Sequence, residues 1–158
     1  MTAPAGTVYR PMQTEDLPQM QQILPLVLPG VWTLDNLRNF MQSTHACRVL
    51  VGADEQIHEV LGFAEFQLVV DECQLFNIAI AREFQGQGLG RKLLQLVLKE
   101  ARDAGCTSCF LEVRRSNDAA IALYAALGFV LVGMRKDYYP PMQPGQARED
   151  ALLYTLAW

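Results

Sequence analysis

A glycine-rich stretch, Gln85-Gly-Gln-Gly-Leu-Gly90, stands where the hydrophobic period of the chain changes, and this juncture constrains the fold more than any other feature. Ahead of it, Cys73–Ile80 has the short apolar run of a strand. Behind it, Leu89, Leu93, Leu94, Val97 and Ala101 fall on one face of a helix, with Arg91, Lys92, Lys99 and Arg102 on other faces. Gly105 is a natural stop for that helix, and Thr107–Val113 returns to a strand pattern. Strand, loop, helix and strand in this order form a crossover unit, which joins parallel strands.

The flanking segments complete a mixed architecture. Thr7–Pro11 has the length of an edge strand. Thr14 or Asp16 can cap a helix carrying Leu17, Met20, Ile23 and Leu24, which Pro25, Pro29 and Gly30 should break. Thr33 is positioned to cap a second helix with Leu34, Leu37 and Met41 on one stripe. Cys47–Ala53, His58–Val70 and Cys73–Ile80 read as strands. The short polar turns Asp54-Glu55-Gln56 and Asp71-Glu72 join them, which predicts antiparallel neighbours. Beyond the crossover, Asn117–Leu127 reads as a helix stopped by Gly128, and Phe129–Arg135 as a strand. The loop Pro140–Ala147 leads to a last strand, Ala151–Ala157. The expected class is α+β mixed with α/β, an antiparallel front with a β-loop-α-β crossover behind it. At 158 residues and 51% hydrophobic, the chain has material for one core, and a single domain over 1–158 is expected.

Charge and cysteine usage remove several classes of function. A net charge of −4 argues against duplex nucleic acid or an anionic membrane as the main partner, and leaves a basic peptide open. The uncharged stretch Ala119–Met134 runs 16 residues with Gly128 and Gly133 inside it, short of the about 20 apolar residues that a spanning helix needs. Met1–Val8 has neither the basic nor the apolar region of a signal peptide, so a soluble, cytoplasmic protein with reduced cysteines is expected. Cys106 and Cys109 have redox-motif spacing, but they open a strand-like run that does not suit a low-pKa thiol. Zinc would need two more ligands, and His45 and His58 are the only histidines. Structural cysteines and no metal are the expectation.

The glycine-rich loop carries the chemistry. Glycines let backbone N–H groups converge, and the helix N-terminus adds unpaired donors and about half a positive charge. Together these suit a pyrophosphate, and Arg91 or Lys92 could meet a further phosphate. The loop is not a P-loop, since no Gly-Lys-Ser/Thr follows, and it lacks the dinucleotide Gly spacing. A mobile start to a helix, with no ligand, is the competing reading.

In this setting Gln85-x-x-Gly88-x-Gly90 resembles the acetyl-CoA loop of the GNAT N-acetyltransferase superfamily. The stretches Leu75-Phe-Asn-Ile-Ala-Ile80, Leu111-Glu-Val-Arg114, Ser116-Asn117, Ala119–Tyr124, Leu127-Gly-Phe129, Tyr138-Tyr-Pro140 and Arg148-Glu-Asp-Ala151 follow in order. In that order they resemble the RimI-type ribosomal-protein alanine N-acetyltransferases. The match covers about residues 8–156 and is dense from Asp71 onward. The resemblance implies a seven-stranded mixed sheet, about four flanking helices, and central strands splayed into a cleft for acetyl-CoA. It implies main-chain contacts to acetyl-CoA from Ile78, Ala79 and Ile80. Further contacts would come from the loop residues Gly86, Gln87, Gly88, Leu89, Gly90 and Arg91, and from Asn117. It implies Glu112 as general base and Tyr124 as general acid. It implies as acceptor a protein N-terminus, the alanine of a small-subunit ribosomal protein, and a monomeric enzyme acting on neither nucleic acid nor membrane.

The chain departs from the family in three places. Gly86 stands where the family often has Arg, which keeps an amide and drops a cation. The loop 141–147 is a few residues longer. The segment Leu26–Trp32 matches only through its Trp. The last two would flank the acceptor peptide, so the departures bear on peptide choice.

Other readings of the same residues stay open at this level. Glu112 in an apolar strand could alternate outward into solvent. Tyr124 could be an ordinary core aromatic. It lies two helical turns after Asn117, on the same side, with Ala120 between them leaving room for an extended pantetheine; Ala120 could equally reflect helix propensity. Arg114-Arg115 and Arg135-Lys136 read as solvated strand ends. A GNAT enzyme acetylating a small amine or another N-terminus, and a non-catalytic acetyl-CoA sensor, are the alternative functions.

Overall fold

The computed structural model describes residues 1–28, 32–54 and 56–158. The expected turn residue Glu55 and the expected breakers Pro29 and Gly30 lie outside the described residues. The elements in chain order are β1 (Thr7–Pro11), α1 (Leu17–Val27), α2 (Leu34–Met41), β2 (Ala46–Gly52), β3 (Val60–Val69), β4 (Glu72–Ile80), α3 (Leu89–Asp103), β5 (Ser108–Arg114), α4 (Asp118–Ala126), β6 (Val130–Tyr139) and β7 (Glu149–Ala157). Seven strands form one sheet in the order β1-β2-β3-β4-β5-β7-β6. Neighbours are antiparallel except β4 and β5, which α3 links as a parallel pair. The mixed α+β class with four helices is the one the period changes predict.

Local signals account for most boundaries. The Thr33 hydroxyl accepts from the Asn36 amide and starts α2. Gly105 and Gly128 end α3 and α4 with φ of +95° and +94°. Asp16 differs from expectation. Its carboxylate makes no cap bond to α1; it turns back to accept from the Gln13 amide, closing the capping box of the short 3₁₀ turn Thr14–Asp16, and from both terminal nitrogens of Arg10. Pro25 also differs, because α1 continues through it to Val27. It falls in the last turn, where the lost N–H removes one hydrogen bond, while Met20, Ile23 and Leu24 hold the helix on the sheet.

The sheet is covered on both faces. Arg48 of β2 hydrogen-bonds Glu100 of α3 on one face. On the other face Cys47, Glu65 and Asn77 lie side by side across β2, β3 and β4, and Glu65 is reached by Trp32 just ahead of α2. The core is continuous, with Phe63, Phe66, Phe84, Leu93, Leu94 and Leu111 fully buried. All four cysteines are free thiols buried in it, in keeping with structural roles.

The central strands part halfway along. β4 and β5 pair only from Glu72 opposite Ser108 to Leu75 opposite Leu111. Beyond that point each stays with its outer neighbour: β4 with β3 as far as Ile80 opposite Gly62, and β5 with β7 as far as Arg114 opposite Ala151. A Cβ at Gly62 would stand 2.7 Å from the Ala79 carbonyl oxygen, so only glycine lets β3 hold the end of β4 this closely. A bulge at Glu65/Phe66 shifts the register of the same pair.

Candidate active site

The parting of β4 from β5 leaves two cavities that meet between the strands. One, of about 400 Å³, is lined by Ile78, Val113, Asn117, Tyr124 and Met142 among others. The second, of about 460 Å³, is lined by Trp32, Phe40, Phe110, Arg135 and Tyr138 among others. Phe76, Asn77, Glu112 and Tyr139 belong to both and form the junction.

Strand alternation fixes which groups face the gap. The Ala81 amide donates to Leu61 on β3, so by the two-residue period the Ala79 amide also turns toward β3, and those of Ile78 and Ile80 face the open side. On β5, Cys109, Leu111 and Val113 are buried on one face, and Glu112 projects from the other into the junction. Its Oε1 lies 3.0 Å from Arg135 Nε, and the nearby carboxylate raises the pKa of the Tyr138 phenol. Arg135 is exposed, as its position implied, yet it lies within β6 rather than at its end and pairs with Glu112. Arg114 is the end of β5 but is not solvated: it pairs with Glu149 and stacks over Tyr139 at 4.6 Å.

Tyr124 comes from the other side, on α4. It is 5% exposed, packed near Phe129 and Tyr154, and lines the first cavity with Asn117. Burial pushes its phenol pKa well up, so the hydroxyl keeps its proton. Asn117 is the cap of α4, its side-chain oxygen accepting from the Ala120 amide. The structure thus brings Ile78, Glu112, Asn117 and Tyr124 to one cleft.

The loop residues stand at the mouth of the cleft. Gly86 and Gly88 have φ of +74° and +80°, and a Cβ at either would meet nothing within 4 Å. Gly88 precedes α3 and leaves it without a side-chain cap. The backbone N–H groups of Gly86, Gln87, Gly88, Leu89, Gly90 and Arg91 have no hydrogen-bond partner among the described residues; the first helical bond is from Lys92 to Gly88. A Cβ at Gly90 would touch Ile80 and Leu123 at 3.7 Å, which places the start of α3 between β4 and α4. Open space around convergent donors, with two exposed cations following, fits a bound pyrophosphate.

Comparison with known proteins decides the family. The profile of the acetyltransferase (GNAT) family matches residues 17–129. The chain belongs to the GNAT family. Among its relatives is the [ribosomal protein bS18]-alanine N-acetyltransferase of Escherichia coli K12, 38% identical over 92% of this chain and 93% of the other. The protein of the same name from Haemophilus influenzae is 37% identical over 77% and 79%. The crystal structure of the ribosomal-protein-S18-alanine N-acetyltransferase from Escherichia coli superposes with a TM-score of 0.84 at 34% identity, covering 96% of this chain and 94% of that one. Arabidopsis thaliana NAA60 in complex with a bisubstrate analogue shares the GNAT fold at a TM-score of 0.83 and 18% identity, covering 96% and 98%.

Sequence reasoning missed Asn77, Trp32 and Glu65 as site residues of this GNAT domain. Glu65 left a signal: it is the one charge in the apolar run Leu61-Gly-Phe-Ala-Glu-Phe66. It is fully buried, and its oxygens accept from Trp32 Nε1 at 3.0 Å and Asn77 Nδ2 at 2.8 Å. Burial raises its pKa to about 7, against the lowering effect of the two hydrogen bonds.

Proposed function

We propose that this protein transfers the acetyl group of acetyl-CoA to the N-terminal alanine of a small-subunit ribosomal protein, bS18. The observation that carries this reading is the junction of the two cavities at Glu112, with a protonated phenol on one side and an aromatic pocket on the other. The likeness to the Escherichia coli enzyme over nearly the whole of both chains supports the choice of acceptor.

Each residue has a separable task. Acetyl-CoA, when bound, supplies the thioester-activated acetyl group. The amides of Gly86–Arg91 bind its pyrophosphate, and Asn117 with the gap-facing main chain of Ile78 and Ile80 lines its extended arm, while Ala79, turned toward β3, offers it no amide. The gap-facing amide of Ile78 or Ile80 is the donor available to a developing oxyanion. Glu112 takes the ammonium proton of the acceptor, directly or through water. Tyr124 holds a proton for the departing sulfur.

The acceptor's identity reduces the demand on Glu112. An α-amine of pKa about 7.8 is roughly one part in seven neutral at pH 7, and a lysine of about 10.4 below about one in a thousand. That difference is about 3.5 kcal/mol in favour of an N-terminal acceptor. The reading carries with it a cytoplasmic, monomeric enzyme acting on protein rather than nucleic acid or membrane. No helix among the described residues is long and apolar enough to cross a membrane.

Thiol release from acetyl-CoA with a panel of acceptors tests the reading. Release with a short basic peptide beginning with alanine supports it. Release with polyamines alone would move the enzyme to small amines, and binding of acetyl-CoA with no release would make it a sensor. In the same assay Tyr124→Phe is expected to bind acetyl-CoA normally and turn over about 10²–10⁴ times more slowly.

A further inference from the structure

We infer that Glu65 is a positioning residue of the acceptor pocket, which fixes Asn77 with its carbonyl oxygen turned into the cleft to accept from the incoming amine. The inference rests on the N-terminal acetylation reading above. A carboxylate only accepts hydrogen bonds, and here each oxygen takes one donor, Trp32 Nε1 and Asn77 Nδ2. With its NH2 held by Glu65, the planar Asn77 amide has to present its oxygen on the opposite side. That side is the junction of the two cavities, shared with Glu112. Two acceptors, Asn77 Oδ1 and Glu112, then meet the N–H groups of the amine, and two such contacts fix the direction of its lone pair.

The second hydrogen bond extends the effect to the pocket wall. Trp32 packs edge-on against Phe40 at 4.8 Å, and Phe40 against Phe76 at 5.9 Å. Glu65 therefore anchors an aromatic wall of the second cavity from beneath. Its own surroundings contain no cation among the described residues. Cys47 lies opposite it on β2; His45 stacks on Phe40 and Phe76; Glu112 and Arg135 stand across the pocket. Above the carboxyl's pKa of about 7, Asn77 faces a carboxylate that carries no proton and has no reason to flip, so the orientation belongs to the enzyme at about pH 8 and above, where the test is run.

Reversing the donor pattern tests this without removing the contact. In Glu65→Gln, one oxygen becomes an NH2 group. Asn77 must then flip to accept from it, turning its own NH2, a donor, toward the amine. The acceptor KM of an alanine-initiated basic peptide is expected to rise about tenfold, with kcat within about twofold and the acetyl-CoA affinity unchanged. In the double variant Glu65→Gln/Asn77→Asp the new NH2 is met by a carboxylate whose other oxygen faces the cleft, and KM should return to within about threefold. A KM for Glu65→Gln within twofold of the parent, or a folded double variant with no recovery, overturns the inference. Should Glu65→Gln not fold, Asn77→Ala must show the same KM rise, or the inference fails. If the parent enzyme leaves the peptide unacetylated, it is the function reading that falls instead.

Discussion

Two carboxylates, one in the cleft and one buried beneath its wall, have opposite tasks, and their surroundings separate them. Glu112 stands at the junction of two cavities, paired with a half-exposed Arg135 and within reach of any amine that enters. Its replacement by Gln leaves only the already neutral amine to react. That fraction falls about tenfold per pH unit below the amine pKa. The ratio of parent to Glu112→Gln activity is therefore expected to grow as pH falls from 8.5 to 6.5. A ratio that stays level across that range would rule out the base role. Glu65 is sealed away, and its effect on stability has the opposite sign from that of a paired surface acid. With its pKa raised from 4.5 to about 7, it binds more protons in the folded chain than in the unfolded one between those values. Its contribution to stability falls as pH rises through that window, by about 3 kcal/mol, and is level above it. Asp16 works the other way, since Arg10 and the Gln13 amide hold its pKa below the usual range and its contribution is lost in acid. Urea unfolding of the parent and of Glu65→Gln from pH 4.5 to 8 separates the two. The difference between the curves should change across pH 4.5–7 and not beyond.

Elements were legible in the sequence where one physical signal decided them. The five apolar positions of α3 and the glycines after α3 and α4 fixed those helices closely, because period and backbone conformation act locally. The continuation of α1 through Pro25 was not legible, since packing of Leu24 and Met20 on the sheet outweighs one missing bond. Nor was the Arg135–Glu112 pair, which depends on β7 lying between β5 and β6. Glu65 announced itself as a charge in an apolar strand, but its partners did not: Trp32 and Asn77 sit on other elements, brought to it by tertiary contact. The loop before α3 was legible as a glycine-rich turn ahead of a helix that starts at Leu89. Gly88, at φ +80°, is one of two loop positions, with Gly86, whose backbone favours glycine. Alanine there would have room for its Cβ yet lose about 1–2 kcal/mol to the left-handed backbone. Gly88→Ala should accordingly lower the urea midpoint modestly and weaken acetyl-CoA binding more than the stability loss accounts for. Equal affinity in a calorimetric titration would show that the loop amides are not the grip.

At the scale of the whole molecule, the sheet gives up pairing in order to work. β4 and β5 are parallel neighbours with only four pairs of residues in register, and past them the free edge of each strand faces a cleft instead of a partner. Unpaired backbone groups inside a sheet are costly unless something else satisfies them. The arrangement persists because β3 and β7 hold the outer edges of both strands to their ends. The inner edges and the amides of Gly86–Arg91 thus lack partners among the described residues, and acetyl-CoA is the ligand proposed for both. Binding should therefore show up as local protection along that line. With acetyl-CoA at about a hundred times its dissociation constant, folding is stabilised by about 2.7 kcal/mol, an increase of roughly 5–10 °C in melting temperature for a chain of this size. Hydrogen exchange should slow most at residues 76–80 and 86–91, and at β1 and β2, at the far edge of the sheet, by no more than the gain in global stability. Uniform slowing over the sheet would mean a ligand that merely stabilises the fold, and no slowing at 86–91 would place the pyrophosphate elsewhere.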